Sequence, residues 1–188
     1  MAELVLFHHA QGLTAGCVAF ADELRAAGHV VHTPDLYDGR TFGSLDDGMA
    51  HVQAVGFDTV VERARAAVEG LPERLVYAGF SLGVLPAQLF AQTRPGAAAA
   101  VLMHAAVPLG ELGDTWPHGV PVQIHTMDAD ERGDVDVAWA LAARIDGAEL
   151  FLYPGDRHLF TDRSLPDHDA VAAALVRERV LGFLAAAG

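Results

Sequence analysis

A serine stands between two glycines at Gly79-Phe80-Ser81-Leu82-Gly83, directly after the apolar run Leu75–Ala78 and directly before a segment with helical apolar spacing. A turn this tight crowds the positions two before and two after the serine, and glycine removes the side chains that would collide there. The result would be a nucleophile elbow. The Ser81 hydroxyl would project above the end of a strand, with the Leu82 amide and the start of a helix aimed at a developing oxyanion.

A serine hydroxyl attacks a carbonyl only with a base to take its proton, and the base needs a carboxylate to orient it. In the order that accompanies such an elbow the acid precedes the histidine. His158 lies in Tyr153-Pro154-Gly155-Asp156-Arg157-His158, just beyond the last apolar run. The run before it leads into Thr126-Met127-Asp128-Ala129-Asp130-Glu131, which offers several acids. Asp130, a few residues past the strand end and able to turn inward, is the chosen carboxylate. Asp128 is its rival, with Asp134 and Asp136 further off. A second oxyanion amide is expected from His8–Gly12, at Ala10 or Gln11.

These residues need a frame, and the chain supplies one by alternation. Strands are expected at Leu4–His8, His29–Thr33, Leu75–Ala78, Ala100–Met103, Val120–His125 and Glu149–Tyr153. Each is a nearly continuous apolar run, as in parallel strands covered on both faces. Helices are expected at Thr14–Ala27, Asp58–Glu69, Leu82–Thr93, Val135–Ile145 and His168–Ala186, and the Gly- and Asp-rich stretch Pro34–Gly56 reads as a loop. The alternation predicts an α/β fold: a single domain over 1–188 with a doubly wound, mostly parallel sheet.

Composition narrows the partners. The 188 residues are 52% hydrophobic with mean hydropathy +0.25, enough for one real core. A formal charge of −13 without a basic block argues against nucleic-acid or anionic-membrane partners. One cysteine, Cys17, permits no internal disulfide, and inside the first helix it reads as a small buried apolar residue. With Glu3 interrupting the first apolar run, the chain reads as soluble and cytoplasmic. Self-association into a homodimer is left open.

His8, His9, His104 and His125 fall near strand ends, where ligands bind. No H-x-x-x-H or H-E-x-x-H spacing is present, so no metal is expected. Adjacent strand residues point to opposite faces, so only one of His8 and His9 can reach a pocket. His9, His104, Phe80 and Phe160 are the expected pocket residues, and His125 is expected to pack beneath the acid loop.

In four stretches the chain resembles the dienelactone hydrolase family of α/β-hydrolases. They are Pro34-Asp35-Leu36-Tyr37, the elbow GFSLG, PVQIHTMDAD at Pro121–Asp130, and YPGDRHLF at Tyr153–Phe160. The resemblance implies a compact α/β-hydrolase fold, favours Asp130 over Asp128 as the acid, and supports His158 as the base. Three departures stand out. Many members carry a cysteine at the elbow where this chain has Ser81. The bacterial dienelactone enzymes place a glutamate after the first strand, near His9 here. They also carry an arginine, used on the substrate carboxylate, at the position of Asp162, and an acid there would repel such a substrate.

The residues therefore predict a serine hydrolase of carboxylic esters or lactones that needs no cofactor. Two other readings share this sequence. One is a thioesterase or acyltransferase using the same Ser81, and the other is a non-catalytic small-molecule-binding protein on the same fold.

Overall fold

The computed structural model describes residues 1–188. Six strands form one parallel sheet: β1 (Glu3–Phe7), β2 (Val30–His32), β3 (Leu75–Phe80), β4 (Ala97–Met103), β5 (Val122–Met127) and β6 (Ala148–Tyr153). Their order across the sheet is β2-β1-β3-β4-β5-β6, and every pairing is parallel. Six helices connect and close it: α1 (Ala15–Ala26), α2 (Leu45–Val55), α3 (Phe57–Val68), α4 (Val84–Thr93), α5 (Val135–Ala142) and α6 (Ala170–Ala187). The expected α/β fold is present, with boundaries moved by one to three residues where strands and helices fray.

Strand periodicity explains the layers. In β1, Val5 and Phe7 join a core shared with α2, α3, α4 and α5, while Leu4 and Leu6 join a second core under α1 and α6. Leu75 and Tyr77 of β3 face the first core, and Val76, Ala78 and Phe80 face the second. Both faces are thus covered, which is why the strands read as unbroken apolar runs. Each aliphatic or aromatic side chain buried this way contributes about 1.5–3 kcal/mol. α6 meets the sheet through Ala172, Val176, Val180 and Leu184, spaced four apart along one stripe.

One expectation fails. Within Pro34–Gly56, read as a loop, α2 forms over Leu45–Val55, capped by the Ser44 hydroxyl accepting from the Asp47 amide. Gly48 interrupts its apolar pattern because α2 crosses directly over the loop after β1. A Cβ at Gly48 would lie 2.1 Å from the Ala10 carbonyl oxygen.

The chain leaves β1 for β2 on one side and reaches β3 on the other. The strand order therefore reverses beside β1, and a crevice opens at the carboxyl ends of β1 and β3, where ligands bind in such sheets. No helix is long and apolar enough to cross a membrane.

Candidate active site

β3 delivers Ser81 to that crevice. Its backbone is left-handed (φ 48°), a conformation that costs a non-glycine residue about 1 kcal/mol or more and is imposed by the surroundings. A 3₁₀ turn over Ser81–Gly83 then leads into α4. Both flanking glycines are required by contact. A Cβ at Gly79 would lie 2.1 Å from the Gly83 carbonyl oxygen, and one at Gly83 would lie 2.4 Å from the Phe7 carbonyl oxygen. The elbow is pressed against the end of β1.

The loops after β5 and β6 bring the other two groups. Ser81 Oγ is 2.7 Å from His158 Nε2. His158 Nδ1 is 2.7 Å from Asp130 Oδ2. The carboxylate can only accept, so the imidazole proton sits on Nδ1 and the Nε2 lone pair faces the serine hydroxyl. Asp130 is buried, and its Oδ1 accepts the Arg132 amide at 2.9 Å. Gly133 leaves room for this carboxylate, since a Cβ there would lie 2.7 Å from Asp130 Oδ2.

The rival acid has different work. Asp128 is exposed, and its Oδ1 accepts the Gly155 amide at 3.0 Å, tying the β5 loop to the β6 loop. Asp134 begins α5, and burial raises its carboxyl pKa while the nearby His158 lowers it. Asp136 lies in the first turn of α5.

After β1, the chain turns through His8–Gly12. The Gln11 amide donates to His9 Nδ1 at 3.2 Å and is therefore not free to meet a substrate oxygen. Ala10 is fully buried, and its N–H makes no hydrogen bond within the chain. Of the two expected amides, Ala10 has the free donor.

The four expected pocket residues do not line an open pocket. His9, His104, Phe80 and Phe160 are all buried, packed beneath the triad on the α1 and α6 side of the sheet. His104 lies between Phe80 (ring centroids 6.0 Å) and Phe160 (4.7 Å), and its Nε2 meets Thr161 Oγ1 at 2.6 Å. These strand ends are roofed by the Leu159–Thr161 segment, a long-range contact that strand position does not reveal. His8 and His9 do part to opposite sides. His8 Nδ1 donates to the His9 carbonyl (2.8 Å) and its Nε2 accepts the Leu36 amide (3.0 Å). His9 Nε2 meets Asp162 Oδ2 at 2.8 Å.

Asp162 is likewise buried. Thr14 Oγ1 also donates to its Oδ2, and the Ser164 amide and hydroxyl donate to its Oδ1. The expected repulsion of a substrate carboxylate therefore does not come from Asp162. Burial opposes its charge, but these donors outweigh that and hold its pKa well below the usual carboxylate range. Burial opposes charge on His9, while the Asp162 carboxylate favours it. The Gln11 N–H pointing at Nδ1 acts the other way, because a second ring proton would meet it. The hydrogen-bond geometry describes a neutral ring donating from Nε2.

His125 is enclosed, with Nδ1 on the Tyr153 hydroxyl (2.8 Å) and Nε2 on Gln123 (2.9 Å). Cys17 is buried in α1 with its Sγ 3.9 Å from Asp162 Oδ2. The Asp162 clamp was hidden from sequence reasoning: its partners lie 153 residues away at His9 and 148 away at Thr14. Beside His158 a cleft of about 600 Å³ opens to solvent. Its wall includes Asp46, Glu131, Asp156 and Asp167, with Arg132 as its only arginine or lysine, held 3.2 Å from Asp46.

The fold recurs among solved structures. A dienelactone hydrolase-like promiscuous phosphotriesterase from metagenomic libraries superposes with a TM-score of 0.78 at 18% identity, covering 99% of this chain and 86% of that one. A dienelactone hydrolase from Anabaena variabilis gives 0.72 at 17% identity, over 98% of this chain and 86% of the other. A thermophilic esterase from Thermogutta terrifontis gives 0.63 at 19% identity, over 100% and 84%. No curated protein sequence matches the chain. The model of the dienelactone hydrolase family matches residues 2–188. With that match spanning the chain and the elbow, acid and histidine in their places, the protein belongs to the dienelactone hydrolase family and so to the hydrolases of ester bonds.

Proposed function

We propose that this chain is a serine hydrolase that cleaves small carboxylic esters or lactones through an acyl-enzyme. The observation that carries this reading is the unbroken hydrogen-bond chain Ser81–His158–Asp130, with 2.7 Å at each link. Ser81 Oγ attacks the carbonyl carbon while His158 Nε2 takes its proton. Asp130 keeps the ring in the tautomer that can do this and stabilises the imidazolium. The negative oxygen of the tetrahedral intermediate is held by the Leu82 and Ala10 amides. His158 then protonates the departing alcohol, and water, activated by the same ring, releases the acid. None of these steps calls for a cofactor.

The cleft narrows the substrate class. Four exposed carboxylates on its wall, besides the triad's Asp130, make an anionic substrate unfavourable, so neutral or cationic esters fit it better than esters carrying a carboxylate. The test is labelling by a fluorophosphonate together with hydrolysis of p-nitrophenyl esters, thioesters and lactones. Labelling at Ser81 and turnover of oxygen esters, both lost in Ser81→Ala, are the expected results. A Ser81→Ala variant with unchanged turnover would overturn the serine mechanism. Binding without any turnover would favour the non-catalytic reading.

A further inference from the structure

The loop after β1 contains two buried amides that differ in one respect: Gln11 N–H is engaged and Ala10 N–H is free. The engaging group is not a carbonyl of the same loop but the Nδ1 of His9. A ring held at one nitrogen only would pivot, and this one is held at both. Its Nε2 is fixed on Asp162, which is itself locked by Thr14 and Ser164 and abuts the first turn of α1. The fit there leaves no slack, since a Cβ at Gly16 would overlap Asp162 Oδ1 at 1.6 Å. α1 has no acidic residue in its own first turn, so Asp162 also supplies the negative charge its N-terminus favours.

We propose that His9 is a positioning residue for the oxyanion amides. Asp162 sets its ring, and its Nδ1 holds the Gln11 N–H so that, of the two loop amides, only the Ala10 N–H joins Leu82 in facing the substrate oxygen. The inference rests on the serine-hydrolase reading. The arrangement parallels Asp130 and His158, a carboxylate fixing an imidazole whose other nitrogen faces the working group, but the group here is a peptide amide. The resulting order is Asp162, His9, Gln11 amide, then Ala10 amide. Because α2 lies against the Ala10 carbonyl through Gly48, the Ala10–Gln11 peptide next to the free amide is held at both its oxygen and its N–H.

Two substitutions separate the ends of the ring. In His9→Asn the side-chain oxygen replaces Nδ1 and can still accept from Gln11, whereas in His9→Gln the amide reaches Asp162 and the Gln11 contact is lost. The clamp predicts that His9→Gln lowers kcat about ten- to hundred-fold with KM nearly unchanged, less than the loss of a whole oxyanion donor. It also predicts a parallel loss of affinity for a trifluoromethyl ketone, while His9→Asn, which keeps the acceptor for Gln11 but not the hold on Asp162, loses clearly less of both than His9→Gln. Hydrogen exchange of the Gln11 amide reads the clamp without turnover: protection kept in His9→Asn and lost in His9→Gln is expected. Equal exchange and equal kcat in the two variants would overturn the proposal, even if both melt at lower temperature. A wild type that turns over no ester would count against the serine-hydrolase reading, and the exchange result would still decide the clamp.

Discussion

His9 and Asp162 stand 2.8 Å apart although 153 residues separate them in the chain, and together they join the loop after β1 to the segment that follows His158. The family resemblance implies a glutamate near the first place and an arginine at the second. Here the charge order is reversed, base first and acid second, and the two departures compensate one another. A pair that looks in sequence like two unrelated losses is one contact in space.

Of the two acids after β5, only Asp130 reaches His158. Asp130→Asn leaves the ring without the acceptor that selects its tautomer. kcat should fall by orders of magnitude, about 10⁴ in a well-studied serine protease, with folding nearly unchanged. Asp128→Asn keeps an oxygen for the Gly155 amide and should stay within a few-fold of wild type. Steady-state kinetics on one p-nitrophenyl ester compares them directly, and the opposite ranking would reverse the assignment.

The acidic wall predicts selection by charge. An ester bearing a carboxylate should show kcat/KM about tenfold or more below its neutral isostere, and the gap should narrow in high salt. Asp156→Asn with Asp167→Asn should narrow it too. An anionic ester processed as well as the neutral one at low salt would show that the wall carries no selectivity.

Three histidines make the fold acid-sensitive. Burial lowers His8 to about 4 and His125 to about 3, and lowers His104 well below its ordinary value. The unfolded chain takes up protons near pH 6.5 that the folded chain refuses, so it binds more protons and stability falls as pH drops. The loss should begin near pH 6.5 and continue to about pH 4 for His8 and about pH 3 for His125, at about 1.4 kcal/mol per pH unit for each histidine. Urea unfolding at a series of pH values measures the slope. A stability flat between pH 7 and 5 would mean that these rings take protons in the folded state.

Gly48 should tolerate no side chain. A methyl group there would lie 2.1 Å from the backbone oxygen of Ala10, so α2 or the oxyanion loop must move. Gly48→Ala, despite the better helix propensity of alanine, should lose about 1–3 kcal/mol of stability and lower kcat. Thermal unfolding and kinetics on the variant test both halves, and a stabilised, fully active Gly48→Ala would refute the contact.

What the sequence reveals and what it hides divide along physical lines. The elbow is legible because its constraint is local: Gly79 and Gly83 clear space within one turn, and the strand and helix that frame it have their own periods. Asp130 and His158 are legible because each lies just past a strand whose apolar run marks the catalytic end of the sheet. α2 is not, because Gly48 answers to a neighbour in space, although Ser44 with Asp47 three residues on is a capping signal that marks its start. The burial of His104 and Phe160 is equally hidden. Strand position places them at the right end of the sheet, but the segment that covers them returns from another part of the chain.

The cleft wall and the catalytic frame are built from different material, and this bears on how the protein could be redesigned. Asp46, Glu131, Asp156 and Asp167 are exposed and belong to neither core, so exchanging them alters what may enter without disturbing what holds the fold. Gly79, Gly83 and Gly48, by contrast, are fixed by backbone atoms that cannot retreat. A library directed at the four wall positions would explore substrate range on an unchanged catalytic engine, whereas one directed at the glycines would mostly return destabilised proteins with a displaced oxyanion loop or elbow.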